Sequence, residues 1–236
     1  MSIAYDAGMA GNRRRSRVIA ARVRARPPRR RRAPEVAQQE LLDAAERVFA
    51  RSHPDHVGLK DVAREAGVSH ALIIHYFGSY SGLVEASFER KLRVLREAIM
   101  ERVQTTRPPM LPGELLEMLF RALEDPVFLR LTRWMFATER AAAGNLAMRD
   151  QGLQQIARQL AQTLDNRPSH ELVMELELIL LCAVSAAYGY AMGKYALAAA
   201  LGRQVTPELD EQMRQVLSGM IQARLRTVLV ATPGEP

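Results

Sequence analysis

Residues 58–77 read GLKDVAREAGVSHALIIHYF and run on at 78–83 as GSYSGL. Leu59, Val62, Ala63 and Ala66 recur at three- and four-residue spacing, which predicts a short helix from Leu59 to Ala66 with a single apolar stripe. Gly67 ends it, because glycine enters the left-handed conformation at little steric cost. Ser69 then stands as the N-cap of a following helix whose Ile73 and Phe77, four apart, turn back towards Val68. On a helical wheel the face opposite Ile73 and Phe77 carries Ala71 and His75, flanked by Leu72 and Ile74, with His70 and Tyr76 at the edges. An outward face of this kind is an apolar liability unless a partner receives it, and a DNA major groove fits.

Upstream, Leu41, Ala45, Val48 and Phe49 predict a first helix from Glu35 to Ala50 that covers this pair, across a turn at Ser52-His53-Pro54-Asp55. Residues 1–34 have a different composition. They hold eleven arginines against the single acid Asp6, a net of +10, so residues 35–236 carry −3 of the overall +7. Too few large apolar residues accompany them to build a core, and disorder is expected for this arm and for the tail at 231–236. Thirty arginines against three lysines match a GC-rich coding sequence, in which an upstream start codon adds such residues without a role; the functional alternative is an arm that follows a polyanion backbone.

The Asp-Val-Ala-x-x-Ala-Gly-Val-Ser core from Asp61 to Ser69 and the closing Tyr76-Phe77 resemble the helix-turn-helix of the TetR family of bacterial transcriptional regulators, over roughly residues 35–82. The resemblance implies an all-α protein: a three-helix DNA-binding domain at 35–82 and a helical effector-binding and dimerisation domain at 83–230. It places His70, Ala71 and Leu72 near base edges and His75 and Tyr76 near phosphates, with Lys60, Ser69, Ile74 and Tyr80 completing the contact set; the charge of the arm itself makes Arg29, Arg30, Arg31 and Arg32 candidates to supplement it. Many members have tyrosine at the place of Ile74, lysine at that of Tyr80, and Thr or Ser at that of Gly58. Those three departures put usual phosphate contacts in doubt, which arginines ahead of the first helix would replace. The apolar trio Ala71, Leu72 and Ile74 favours contact with thymine methyl groups.

Beyond residue 80 further helices are predicted: Ser81 to about Thr105, Gly113 to Glu124, Val127 to about Arg140, about Met148 to Leu164, Glu171 to about Leu201, and Pro207 to Val230. Family members enclose a small-molecule pocket with such helices. Candidate lining here is Leu119, Phe120, Leu123, Trp134, Met135, Phe136 and Ala137, with Tyr188 and Met192 opposite; the same stripes also suit plain core packing. Arg130, Arg133 and Lys194 suit either an acidic ligand or surface ion pairs, with ion pairs the more common use. After Leu178 the helix is apolar on every side and needs cover on more than one flank. Ala183, Ala186, Ala187, Gly189 and Gly193 permit close helix approach, and Met213, Val216 and Met220 lie along the last helix. Paired with two-fold mates, these predict a four-helix dimer interface, as the resemblance also implies.

The chemistry of other function classes is not written in the chain. It has no G-x-S-x-G elbow, Walker loop, G-x-G-x-x-G after a strand or H-E-x-x-H, so neither an enzyme nor a cofactor is expected. His53 and His56 lie three apart, but without an acidic or thiol neighbour no metal is expected there. A single cysteine, Cys182, and no apolar leader behind the basic start favour the cytoplasm. The longest uncharged stretch, Leu178–Gly193, is shorter than the roughly 20 residues a bilayer needs, so no membrane span is expected. The expected function is repression relieved by a largely apolar small molecule at a pseudo-palindromic operator; the alternative is an effector-independent architectural protein that coats DNA through its arm.

Overall fold

Why the chain folds as it does is clearest at its helix ends. A computed structural model describes residues 33–105, 112–138 and 152–231. Within them lie α1 (Pro34–Arg51), a 3-10 turn (Pro54–His56), α2 (Leu59–Ala66), α3 (His70–Phe77), α4 (Tyr80–Thr105), α5 (Pro112–Glu124), α6 (Pro126–Ala137), α7 (Gly152–Leu164), α8 (His170–Ala200) and α9 (Pro207–Ala231). The fold of the described residues is all-α, as predicted. Ser69, Asp125 and Ser169 cap α3, α6 and α8 with side-chain oxygens that accept first-turn N–H groups. Ser79 does the same for α4, accepting the Gly82 N–H at 3.0 Å. The helix that was expected to reach about Arg140 stops at Ala137, where the Thr138 hydroxyl donates to the Trp134 carbonyl at 2.8 Å. The arm with Arg29, Arg30, Arg31 and Arg32, the expected helix start near Met148 and the tail beyond Ala231 lie outside the described residues.

Packing divides into two apolar clusters. In the first, Leu41, Leu42, Val48 and Phe49 of α1 meet Val62, Ile73, Leu83 and Phe88, then Phe128, Leu131 and Met135. In the second, Ile99 and Val103 of α4 meet Ile156 and Leu160 of α7, Leu172 and Leu176 of α8, and Val228 of α9. Helix α4 belongs to both and ties them together. By length and composition alone α8 is long and apolar enough to cross a bilayer, a result the uncharged-stretch criterion missed because isolated charges do not lower the mean hydropathy enough. In this fold α8 packs against α5, α7 and α9.

Candidate nucleic-acid interface and internal cavity

The turn between α2 and α3 is built by three residues. Gly67 sits at φ 66°, where its N–H reaches the last carbonyls of α2, and Ser69 Oγ accepts the Leu72 N–H at 3.4 Å. At the other end of α2, the Asp61 carboxylate accepts the Gly58 N–H at 3.0 Å. Ile73 is completely buried and anchors α3, while His70, Ala71, Ile74 and His75 face solvent, with Ile74 42% exposed. Leu72 and Tyr76 are half-buried at the edges. Lys60 is exposed at the start of α2. Arg47 and Arg51, by contrast, both pair with Glu65, which they hold below the ordinary carboxylate range.

Two positions in the first turn of α4 govern how α3 presents itself. Gly82 lies so close to the end of α3 that a β-carbon there would come within 2.1 Å of the Phe77 carbonyl oxygen. Tyr80, expected among the DNA contacts, is instead half-buried and donates its hydroxyl to the Pro54 carbonyl at 2.6 Å. That hydroxyl is committed to an internal tie. Burial, followed by Asp55 and Asp61, raises its pKa, so the proton that makes this bond is retained.

Helix α1 is fastened to α4 and α6 by polar groups. Arg90, with only 12% of its side chain exposed, donates to Glu46 at 2.6 Å and to Asp43 at 2.7 Å. Lys91 bridges Asp125 at 2.8 Å and Glu46 at 3.2 Å. Burial opposes the charge on both Lys91 and Asp125, yet their mutual hydrogen bond wins and keeps the ammonium above, and the carboxylate below, its usual value. Arg130, expected to pair with an acid, instead donates to the carbonyls of Phe49 and Ala50, both at 2.6 Å, and so caps the C-terminus of α1 from α6. Lys194 does make the expected ion pair, with Asp210 at 2.9 Å.

Between the two apolar clusters runs a cavity of about 850 Å³. Of the predicted lining, Leu119, Met135, Phe136 and Tyr188 are in its wall; Phe120, Leu123, Trp134, Ala137 and Met192 are not. Phe120, Leu123 and Trp134 are buried in ordinary packing, Ala137 faces solvent and Met192 is half-buried, because adjacent positions on α5, α6 and α8 point to different neighbours. Most of the wall comes from α4, α7 and the first half of α8, through residues such as Leu92, Ile99, Ile156, Leu176 and Leu180 that sequence periodicity could not tell from core. Burial pushes the Tyr188 hydroxyl up to about 12, so it stays neutral.

The expected interface residues also divide. Ala183 and Ala187 are buried within the chain, and Ala186 is half-buried, since the inward face of α8 runs through Leu172, Leu176, Ala183, Ala187 and Ala198. The opposite face carries Met174, Leu178 and Leu181, each about half exposed, with Cys182, Ser185 and Gly189 along the same stripe. On α9, Val216 and Met220 are exposed at 55% and 65%, with half-buried Met213 one turn before. The small residues exposed along this stripe are Cys182, Ser185 and Gly189, of which Gly189 was among those expected to permit close approach.

Comparison with known proteins adds three findings. The family described as bacterial regulatory proteins, tetR family, matches residues 41–87, which hold α2, α3 and most of α1. An HTH-type transcriptional regulator of Mycobacterium tuberculosis is 30% identical over 125 residues, 52% of this chain and 60% of its own length. The regulator BetI of Agrobacterium fabrum is 39% identical over 72 residues, 30% of this chain and 35% of its own. The chain therefore spans less than two thirds of the length of these curated relatives. Among solved structures, a TetR-family regulator from Streptomyces coelicolor superposes with a TM-score of 0.53 at 24% identity, covering 83% of this chain and 92% of its own. Another from Pectobacterium atrosepticum gives 0.55 at 18% identity, covering 87% and 100%. These two likenesses concern the fold.

Proposed function

We propose that this chain, whose residues 41–87 match the family of bacterial regulatory proteins, tetR family, is a cytoplasmic DNA-binding repressor of that kind which a small molecule releases from its operator. The observation that carries this reading is the outward face of α3, where Ala71 and Ile74 stand in solvent between His70 and His75 on a helix locked by caps at both ends. A rigid, exposed helix with a narrow apolar face suits insertion into a major groove, with Ala71 and Ile74 against thymine methyl groups. Ser69, His75 and Tyr76 lie at the borders of that face and, together with exposed Lys60 at the start of α2, serve the phosphates, while Leu72 supports the helix from its edge. Tyr80 acts as a strut within the domain. Arg29, Arg30, Arg31 and Arg32 supply further phosphate contacts, so removal of residues 1–33 lowers both affinity and the slope of log K against log salt.

The exposed stripes of α8 and α9 are each covered by a second copy, giving a four-helix interface and a two-fold dimer. Its two α3 helices read half-sites about 34–36 Å apart, or a multiple of that. The cavity takes the effector. Its wall includes Phe88 of α4 and Met135 of α6, the same two helices that hold α1 through Arg90, Lys91 and Arg130. An occupant that favours a different packing of α4 and α6 therefore shifts α1, and with it the spacing of the reading heads, by as much as its affinity for the two packings differs. Footprinting of the full chain on operator fragments selected from random DNA is the test. A symmetric protected stretch from a sedimenting dimer is expected; solitary copies at working concentration, or protection without sequence preference and with steep salt dependence, would sink the reading.

A further inference from the structure

The charge of the helix-turn-helix depends on two imidazoles. Residues 58–83 carry Lys60 and Arg64 against Asp61 and Glu65, so their fixed charges cancel. Helix α3 itself, HALIIHYF, has neither lysine nor arginine, and its titratable side chains are His70, His75 and Tyr76. Protonation of both histidines takes the unit from a net of 0 to +2, and a two-fold pair of units from 0 to +4.

Both rings stand on the outward side of α3. His70 and His75 are exposed on the face that carries Ala71 and Ile74. The His75 ring meets half-buried Tyr76 edge-on, with centroids 5.3 Å apart at 75°, which holds it at the border of that face. The acids of α2 are already paired: Asp61 with the Gly58 N–H and Arg64, Glu65 with Arg47 and Arg51 of α1. On α4, Tyr80 is tied to the Pro54 carbonyl, and half-buried Glu85 has an interaction of its own. His53, Asp55 and His56 lie on and beside the turn that precedes α2, and exposed Lys60 adds a fixed positive charge at its start. A histidine changes charge in the neutral range, whereas lysine or arginine in the same place would stay charged throughout. A phosphate within hydrogen-bond reach stabilises the imidazolium over the imidazole. Binding then takes up protons, and affinity rises as pH falls.

We propose that His70 and His75 make operator binding proton-linked, so that DNA is held tightly at mildly acidic pH and released as the medium turns alkaline. The proposal rests on the reading of α3 as the helix that enters the groove, and adds to it a regulation that acts with no ligand in the cavity.

The test titrates the full-length protein against its selected operator fragment, carrying a pH-insensitive dye, by fluorescence anisotropy at constant ionic strength. Affinity is expected to be about tenfold or more higher at about pH 6 than at about pH 8. Over the same interval the slope of log K against log salt is expected to steepen by about 0.9 for each imidazolium that neutralises a phosphate. Both side chains are exposed, so their replacement leaves the core untouched. His70→Gln combined with His75→Gln abolishes the difference and leaves binding near the wild-type value at the alkaline end. His75→Lys brings binding at the alkaline end close to that at the acidic end. His53→Gln combined with His56→Gln keeps the wild-type profile. Sequence-specific binding with equal affinity at both pH values overturns the proton linkage and leaves α3 as the reading helix. So does a difference that survives the double α3 variant or vanishes in the His53 and His56 variant. Absence of specific binding at either pH overturns the linkage and the DNA-reading role together.

Discussion

Helices α3 and α8 both turn apolar side chains to solvent, yet they do so on very different scales. The outward face of α3 is one residue wide at Ala71 and Ile74, closed on either side by His70 and His75. That of α8 runs from Met174 through Leu178 and Leu181 past Gly189, and α9 extends it sideways with Val216 and Met220. A narrow ridge bounded by polar rings suits a groove lined with base edges and phosphates. A long stripe interrupted by small residues suits another helix of the same kind.

The sharpest way to break this comparison is to charge the long stripe. Met174→Glu combined with Leu178→Glu is expected to give a folded monomer by sedimentation, with operator affinity down about 100-fold or more because the two half-sites are no longer engaged together. An intact dimer would remove the distinction between the two faces. Next in size is the junction that joins them. Arg130→Ala deletes two charge-assisted bonds to the Phe49 and Ala50 carbonyls, and a loss of about 1.5–3 kcal/mol in urea unfolding is expected. The same variant is expected to weaken the response of DNA binding to any cavity ligand. Ala71→Arg tests the narrow ridge: a change of about 1–3 kcal/mol in operator discrimination with the dimer unaltered, read by footprinting against the wild type.

The smallest effect separates two roles of Asp125. Asp125→Ala loses both the cap of α6 and the pair with Lys91, whereas Asp125→Asn keeps a capping oxygen; the difference between them in thermal unfolding is expected to be about 1 kcal/mol. The folded pKa of Asp125 is lowered, so the stability it contributes is present above the ordinary aspartate value and is lost as pH falls through the lower folded value. Asp125→Asn should therefore flatten the acid limb of the stability profile below about pH 4.

The helix-turn-helix half was legible in the sequence because local rules decide it. Leu59–Ala66 is bounded by Gly67, and α3 opens after Ser69, so stop and start signals stand within three residues of each other. The outward residues of α3 followed from the inward pair Ile73 and Phe77. No such contrast exists along α8 after Leu178, where every flank is apolar and the phase of the buried face is invisible; Ala183 and Ala187 are as small and apolar as Cys182 but point the other way. The cavity was half legible for the same reason, since a leucine against empty space and one against a neighbour obey one periodicity. Tyr80 illustrates a third limit. Its partner is a carbonyl 26 positions earlier, and that kind of tie leaves no local signature.

The crowding at Gly82 sets a tolerance on the whole assembly. Helix α4 leaves α3 at an angle that only a missing side chain permits, and α4 then continues for some 23 further residues into the far cluster. Alanine there would wedge the corner open by the width of a methyl group. The displacement, carried along a lever that long, would in the proposed dimer detune the distance between the two reading helices.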